Sequence, residues 1–204
     1  MKFILAQKQK MTQLFKDNGK VIPVTIVKAG PVVVVRNKIK NKDGYSAVVV
    51  GFGNKKHASK PLAGQLKNLK PVRALKEFKI NDESEIEQWH IGDEIKADIF
   101  QEGDKVIVKG VSKGKGFSGM VKRYKAHGND TTHGTKHSVR TPGSIGATGI
   151  QRVLKGHKMP GRGGGKKITL KKIEIVKVDP ENNLLYLKGA VPGAKGSLLI
   201  LSQV

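Results

Sequence analysis

Apolar β-branched residues fall into short runs separated by turn residues over the first ~112 positions. Lys20 to Lys28 holds Val21, Ile22, Val24, Ile26 and Val27, Pro31 to Ile39 holds Val32 to Val35, and Tyr45 to Phe52 holds Val48 to Val50. The breaks are Asp17-Asn18-Gly19, Ala29-Gly30-Pro31 and Lys42-Asp43-Gly44. Such runs predict strands, and tight turns between them predict antiparallel pairing rather than strand–helix–strand units. Pro61 to Asn68 has Leu62, Leu66 and Leu69 near helical spacing and predicts a short helix. Asn81 to Glu94 carries six of the 16 acids and reads as an exposed acidic turn. Strands are then expected at Glu94 to Phe100 and Lys105 to Val111, joined through Gln101-Glu102-Gly103-Asp104.

At Ser112 the pattern stops. The 61 residues to Lys172 contain 15 Lys/Arg against the single acid Asp130, 13 of the 25 glycines and 14 hydrophobic residues. Strand patterning returns at Ile168 to Val178. After the turn Asp179 to Asn183, it resumes at Leu184 to Leu187 and Leu198 to Leu201. The expected organisation is therefore a discontinuous β body, 1–112 with 167–204, bearing a short helical insertion near 60–90. Residues 113–166 form a basic, glycine-rich extension between strands. Fourteen mostly modest apolar side chains are too few to offset the ordering of some 60 residues. The segment is thus expected to be mobile alone and to order against a polyanion. An excursion of ~54 residues, out and back, reaches at most roughly 90 Å at about 3.3 Å per residue.

Charge sharpens this picture. The 204-residue chain has formal net charge +23. Such an excess is self-repelling without an anionic partner, of which nucleic acid is the leading class and an anionic membrane surface the second. No run approaches the ~18 apolar residues of a membrane span, so a soluble cytoplasmic protein is expected. The absence of cysteine excludes disulfides and thiolate metal sites.

Within the segment, glycines and cations interleave: Lys113-Gly114-Lys115-Gly116, Lys155-Gly156-His157-Lys158 and Gly161-Arg162-Gly163-Gly164-Gly165-Lys166-Lys167. Glycine lets the backbone approach phosphate or ribose, and Lys and Arg neutralise phosphates. Phe117, Tyr124 and the histidines can stack on bases. The plain alternative is a solvated basic loop without a fixed site. Three motifs mislead. Gly114 to Gly119 matches G-x-G-x-x-G but lacks an acid ~20 residues on and a βαβ frame. Gly161 to Lys167 lacks the first glycine and the Ser/Thr of a phosphate loop. His127, His133 and His137 lack a convincing closing ligand for zinc. No nucleophile has a recognisable base, so catalysis, a cofactor and a metal are not expected.

Specific motifs then carry a resemblance. Val108-Lys-Gly-Val-Ser-Lys-Gly-Lys-Gly-Phe117-Ser-Gly119 and Val121-Lys-Arg-Tyr124 are followed by Thr132-His133-Gly134, His137-Ser138 and Pro142-Gly143-Ser144-Ile145-Gly146. Arg152 to Gly161, Asn183-Leu184-Leu185, Lys188 to Gly193 and the N-terminal Lys8 to Phe15 complete the set. Together they resemble the family of universal large-subunit ribosomal protein three in its bacterial form, over essentially the whole chain.

The resemblance implies a mainly β fold: a six-stranded Greek-key barrel of the translation-protein type with a long irregular basic extension. It implies a structural, non-enzymatic role in the ribosome: binding 23S rRNA, nucleating early subunit assembly near the 3′ domain, and approaching the peptidyl transferase centre. Gly143 to Gly146 and Ala147 to Gln151 would lie near the tip. Large-subunit proteins fourteen and nineteen would be neighbours, with no membrane and no homo-oligomer. The expected rRNA contacts are Lys113, Lys115, Phe117, Lys122, Arg123, Tyr124, His133, His137, Arg140, Ser144, Gln151, Arg152, Lys155, His157, Lys158, Arg162, Lys166 and Lys167. Some members carry a methylated glutamine after Gly-Ser-Ile-Gly; here that position is Ala147, and the modification is not carried over.

Overall fold

The computed structural model describes residues 2–16, 18–66, 69–80 and 84–203. The chain divides into two compact units, Met1–Val111 with Lys167–Val204, and Ser112–Lys166. In chain order the strands are β1 (Phe3–Phe15), β2 (Val21–Ala29), β3 (Val32–Lys38), β4 (Ala47–Asn54), β5 (Val72–Lys79), β6 (Glu94–Ile95) and β7 (Lys105–Val111). They continue with β8 (Phe117–Ser118), β9 (Gly161–Arg162), β10 (Lys167–Asp179), β11 (Leu184–Lys188) and β12 (Leu198–Gln203). The helices are short: α1 (Lys40–Asp43), α2 (Lys60–Leu66), α3 (Ser84–Glu87) and α4 (Met120–Tyr124), with 3-10 turns at Ala97–Ile99, Lys136–Ser138 and Thr148–Ile150.

In the first unit, β1, β12, β7, β10, β11 and β2 close in that order into an antiparallel six-stranded barrel. Closure removes the unpaired edges that an open sheet would expose. Alternate side chains turn inward, as the two-residue strand period requires. Leu5, Val27, Val106, Val108, Ile175, Leu185, Leu187, Leu199 and Leu201 are fully buried.

A second sheet runs in the order β5-β4-β3-β6. Most of its valines are buried, Val33 and Val49 being half-buried. Val32, Val34, Val48 and Val50 join the core that contains Phe3 and Ile4, while Val35 packs with Leu66 of α2 and Val72. Phe3 stacks on Phe78 with ring centroids 4.3 Å apart and touches Trp89 at 5.3 Å. Gly30, where β2 passes to β3, has φ +80°, and a Cβ there would lie 2.9 Å from the Ile95 carbonyl oxygen. A side chain at this junction would push the two sheets apart.

Two strands, β1 and β5, lie where the sequence predicts no particular element, and some expectations need correction. β1 is a 13-residue strand, although beyond Ala6 its sequence is largely polar. β5 likewise has no clear apolar alternation. The strand expected over Glu94 to Phe100 is two residues of β6 followed by a 3-10 turn. Ile95 and Phe100 are both buried, but the chain turns between them, with the Phe100 amide donating to the Ala97 carbonyl at 3.2 Å. The acidic stretch is not simply exposed: Ile86 in α3 is buried and Trp89 packs on the core. Asn81, Asp82 and Glu83 of that stretch, Asp17 of the first turn, and Lys67 and Asn68 of the predicted helix lie outside the described residues.

Ion pairs join distant positions of this unit. Lys2 reaches Asp104 at 3.1 Å and Lys188 reaches Glu174 at 2.6 Å. The Glu77 carboxylate takes a hydrogen bond from Lys38, the largest influence holding its pKa below the ordinary range, with Tyr45 as a second donor. Asp104 is also held low, first by the Gln101 amide and then by Lys2, against an opposing effect of burial.

Candidate nucleic-acid interface

Among the described residues of the second unit, Ser112–Lys166, only Ser118 and Gly163 are buried. No hydrophobic side chain is buried there. Phe117 is 80 % exposed, and Ile145, Ile150, Val153 and Leu154 also face solvent. Twelve Lys/Arg stand against Asp130 alone. The unit is therefore held by backbone hydrogen bonds rather than by a core.

Those bonds concentrate where the segment begins and ends. The Ser112 amide donates to the Lys166 carbonyl at 2.9 Å, and the Lys166 amide donates back to the Ser112 hydroxyl at 3.2 Å. The Lys115 amide donates to Gly163 O and the Gly163 amide to Gly116 O, both at 2.8 Å. β8 and β9 pair as Phe117 with Arg162 and Ser118 with Gly161. Glycine is required within this clasp. Gly164 has φ +68°, and a Cβ there would lie 2.0 Å from the Lys113 carbonyl oxygen. The run Gly163-Gly164-Gly165, read from sequence as a phosphate approach, thus also has a structural task.

Arg123 has such a task too. Expected as an rRNA contact, it is half-buried. It donates from Nη1 to the Met159 carbonyl at 2.7 Å, and its guanidinium lies 5.0 Å from the Tyr124 ring centroid. Beyond it the chain doubles back on itself: Asn129 bonds Val139 through its amide at 2.9 Å and Ser138 through Nδ2 at 2.8 Å. Residues 113–166 are therefore not one drawn-out hairpin. Ser144 Oγ donates to Gly146 O at 3.0 Å, shaping the turn at Gly143 to Gly146.

The remaining expected contacts in this unit present their side chains to solvent: Lys113, Lys115, Phe117, Lys122, Tyr124, His133, His137, Arg140, Ser144, Gln151, Arg152, Lys155, His157, Lys158, Arg162 and Lys166. Lys167 belongs to the other unit, at the start of β10, paired with Val111. Lys125, His133, Lys136 and Gln151 have left-handed φ angles of 54°, 56°, 42° and 48°. Non-glycine residues in that region cost of order 1 kcal/mol each and persist where surroundings demand them. This surface offers phosphates many cations, and bases an exposed ring at Phe117. Among the described residues, no three His, Cys, Asp or Glu gather in a metal-binding group. No helix among them is long and apolar enough to cross a membrane.

Residues 76–182 match the family model described as Ribosomal protein L3. Large ribosomal subunit protein uL3 of Carboxydothermus hydrogenoformans is 48% identical over 206 residues, covering 99% of this chain and 97% of its own length. The protein of the same name from Pseudothermotoga lettingae is 49% identical, covering 100% of this chain and 97% of its own. That from Heliobacterium modesticaldum is 48% identical, covering 99% and 96%. Relatives of this identity, matched nearly end to end, share a whole-chain architecture, and the chain belongs to the ribosomal protein L3 family.

Proposed function

We propose that the chain is a structural constituent of the large ribosomal subunit that binds 23S rRNA chiefly through residues 113–166. The body, 1–112 with 167–204, acts as the folded anchor. The observation that carries this reading is the cationic segment without a buried hydrophobic side chain. A polyanion supplies the neutralisation that the segment cannot supply itself. In this reading the protein joins early in subunit assembly, neighbours large-subunit proteins fourteen and nineteen, and directs 143–151 toward the peptidyl transferase centre. Its role there is positional, not chemical.

The test is reconstitution. The protein is expected to stay with large subunits through high-salt washing, and its loss from washed subunits would overturn the proposal. Binding to 23S rRNA fragments is expected to fall with salt at a log–log slope of about −6, as ~8 neutralised phosphates on single strands require. A free-standing nucleic-acid binder would share that slope, so preference for 23S rRNA over unrelated RNA of equal length separates the two.

A further inference from the structure

Within the basic unit, the outgoing and returning arms are tied together by a short series of hydrogen bonds. From the Ser112 and Lys166 bonds the ties run outward through Lys115, Gly116 and Gly163 to the β8–β9 pair. The outermost is Arg123 on Met159. Past it, among the described residues, the hydrogen bonds within 124–158 join positions no more than 12 apart, as Asn129 to Thr141 and Gln151 to Thr148. The unit therefore has a fastened stem, 112–123 with 159–166, and a head, 124–158, held by local bonds. Arg123 stands where one gives way to the other.

Both arms build the seat of its guanidinium. Tyr124 brings its ring to 5.0 Å, and Met159 offers its carbonyl at 2.7 Å. Gly161 leaves the room, since a Cβ there would lie 2.8 Å from Nη1 and displace it. A bond from a charged donor is the strong kind, and the planar guanidinium suits a ring face as an ammonium does not. Lys122 and Lys158, one residue to either side of this joint, are exposed, whereas Arg123 is half-buried. The joint thus fixes how these two free cations stand relative to each other before any RNA arrives. Such prior ordering raises affinity without adding a contact.

We infer that Arg123 is a positioning residue of the RNA interface: it acts on rRNA through the return arm it fastens and the lysines beside the joint, and itself neutralises no phosphate. This rests on the rRNA reading above, and the test keeps the two apart.

Positioning and contact differ in salt dependence, because each phosphate neutralised on a single strand contributes about 0.7 to the log–log slope. In binding of the full chain to 23S rRNA, Arg123→Ala is expected to weaken affinity about tenfold while its slope stays within about 0.2 of the parent's. Arg123→Lys keeps the charge but not the planar face, and is expected to lose affinity as well. An Ala variant within about twofold of the parent, or one whose slope is shallower by about 0.7, overturns the proposal while leaving the rRNA reading standing. So does full affinity in the Lys variant, since a phosphate contact needs only the charge. A parent chain without preference for 23S rRNA over unrelated RNA overturns the rRNA reading itself. The chain contains no cysteine, so Lys122→Cys together with Lys158→Cys accepts a pair of spin labels. In the RNA-free chain their dipolar coupling is expected to weaken when Arg123→Ala is added. Coupling unchanged by that substitution overturns the positioning role.

Discussion

The barrel unit and the Ser112–Lys166 unit are one chain under two regimes. In the barrel unit, inward side chains such as Leu185 and Leu201 have no solvent exposure, and the strands are fixed by what they bury. In the other unit no hydrophobic side chain is buried, and conformation rests on glycine-permitted backbone bonds and a few side-chain fasteners such as Arg123. The barrel unit carries a buried core of its own, shared with the second sheet, whereas the basic unit has a hydrogen-bonded base and a cationic surface that suits a polyanion. Backbone geometry can specify a path where packing cannot, but such a path holds little stability of its own.

The largest effect should come from putting a charge into each regime. Val34→Asp places an unpaired carboxylate at a fully buried position, and should cost about 4 kcal/mol or more and abolish a cooperative melt. Val153→Asp, at a 39% exposed position, should leave the thermal midpoint within about 1 °C. Comparable losses from the two would erase the contrast.

Next, Gly164→Ala should open the clasp. Hydrogen exchange at the Lys115 and Gly163 amides should then quicken by an order of magnitude while β12 amides stay protected. Unchanged exchange at those two amides would show that the base is held by something other than the glycine geometry. Arg152→Glu or Lys158→Glu should weaken binding to 23S rRNA roughly tenfold and make the salt slope shallower by about one unit, without lowering the melting temperature of the protein. A falling melting temperature would mean that those cations pack on folded structure.

The smallest effect concerns acid. Glu77 and Asp104 have folded-state pKa values below their ordinary ones, so their stabilising contribution is present above the ordinary carboxylate pKa and disappears as pH falls through the depressed folded value. Asp104→Asn should lower stability at neutral pH by about 1 kcal/mol or less and flatten the decline toward pH 3. A variant whose decline matches the parent's would show that Asp104 does not contribute to acid sensitivity.

Much of this fold is legible in the sequence, and the part that is not follows a physical pattern. The valine runs of β3 and β4 are legible because a continuous apolar run marks a strand buried wholly on one face and in part on the other. β1 is not, because Gln7 to Gln13 is polar apart from Met11 and is held as a strand by β2 rather than by burial. That pairing is a hairpin across Lys16 to Lys20, and it holds polar residues in a strand without leaving an apolar period in them. In the basic unit, the density of cations is plain in the sequence and suits an anionic partner. The fastening role of Arg123 left no sign in the sequence, since a cation that holds a carbonyl and one that holds a phosphate are written with the same letter. The exposure of Phe15 and Met11 has no local sign either, because it arises from where the barrel stops.

β7 and β10 are bridged at Val111 and Lys167, immediately either side of the basic unit. The excursion therefore departs from and returns to one rung of the ladder, as the loop of an oversized hairpin. Loop-closure entropy grows only logarithmically, at about 0.6 kcal/mol for each doubling of length. Insertions or deletions between those two residues consequently leave the barrel's register untouched. Evolution can lengthen, shorten or re-route the excursion while the strand pair that carries it stays the same.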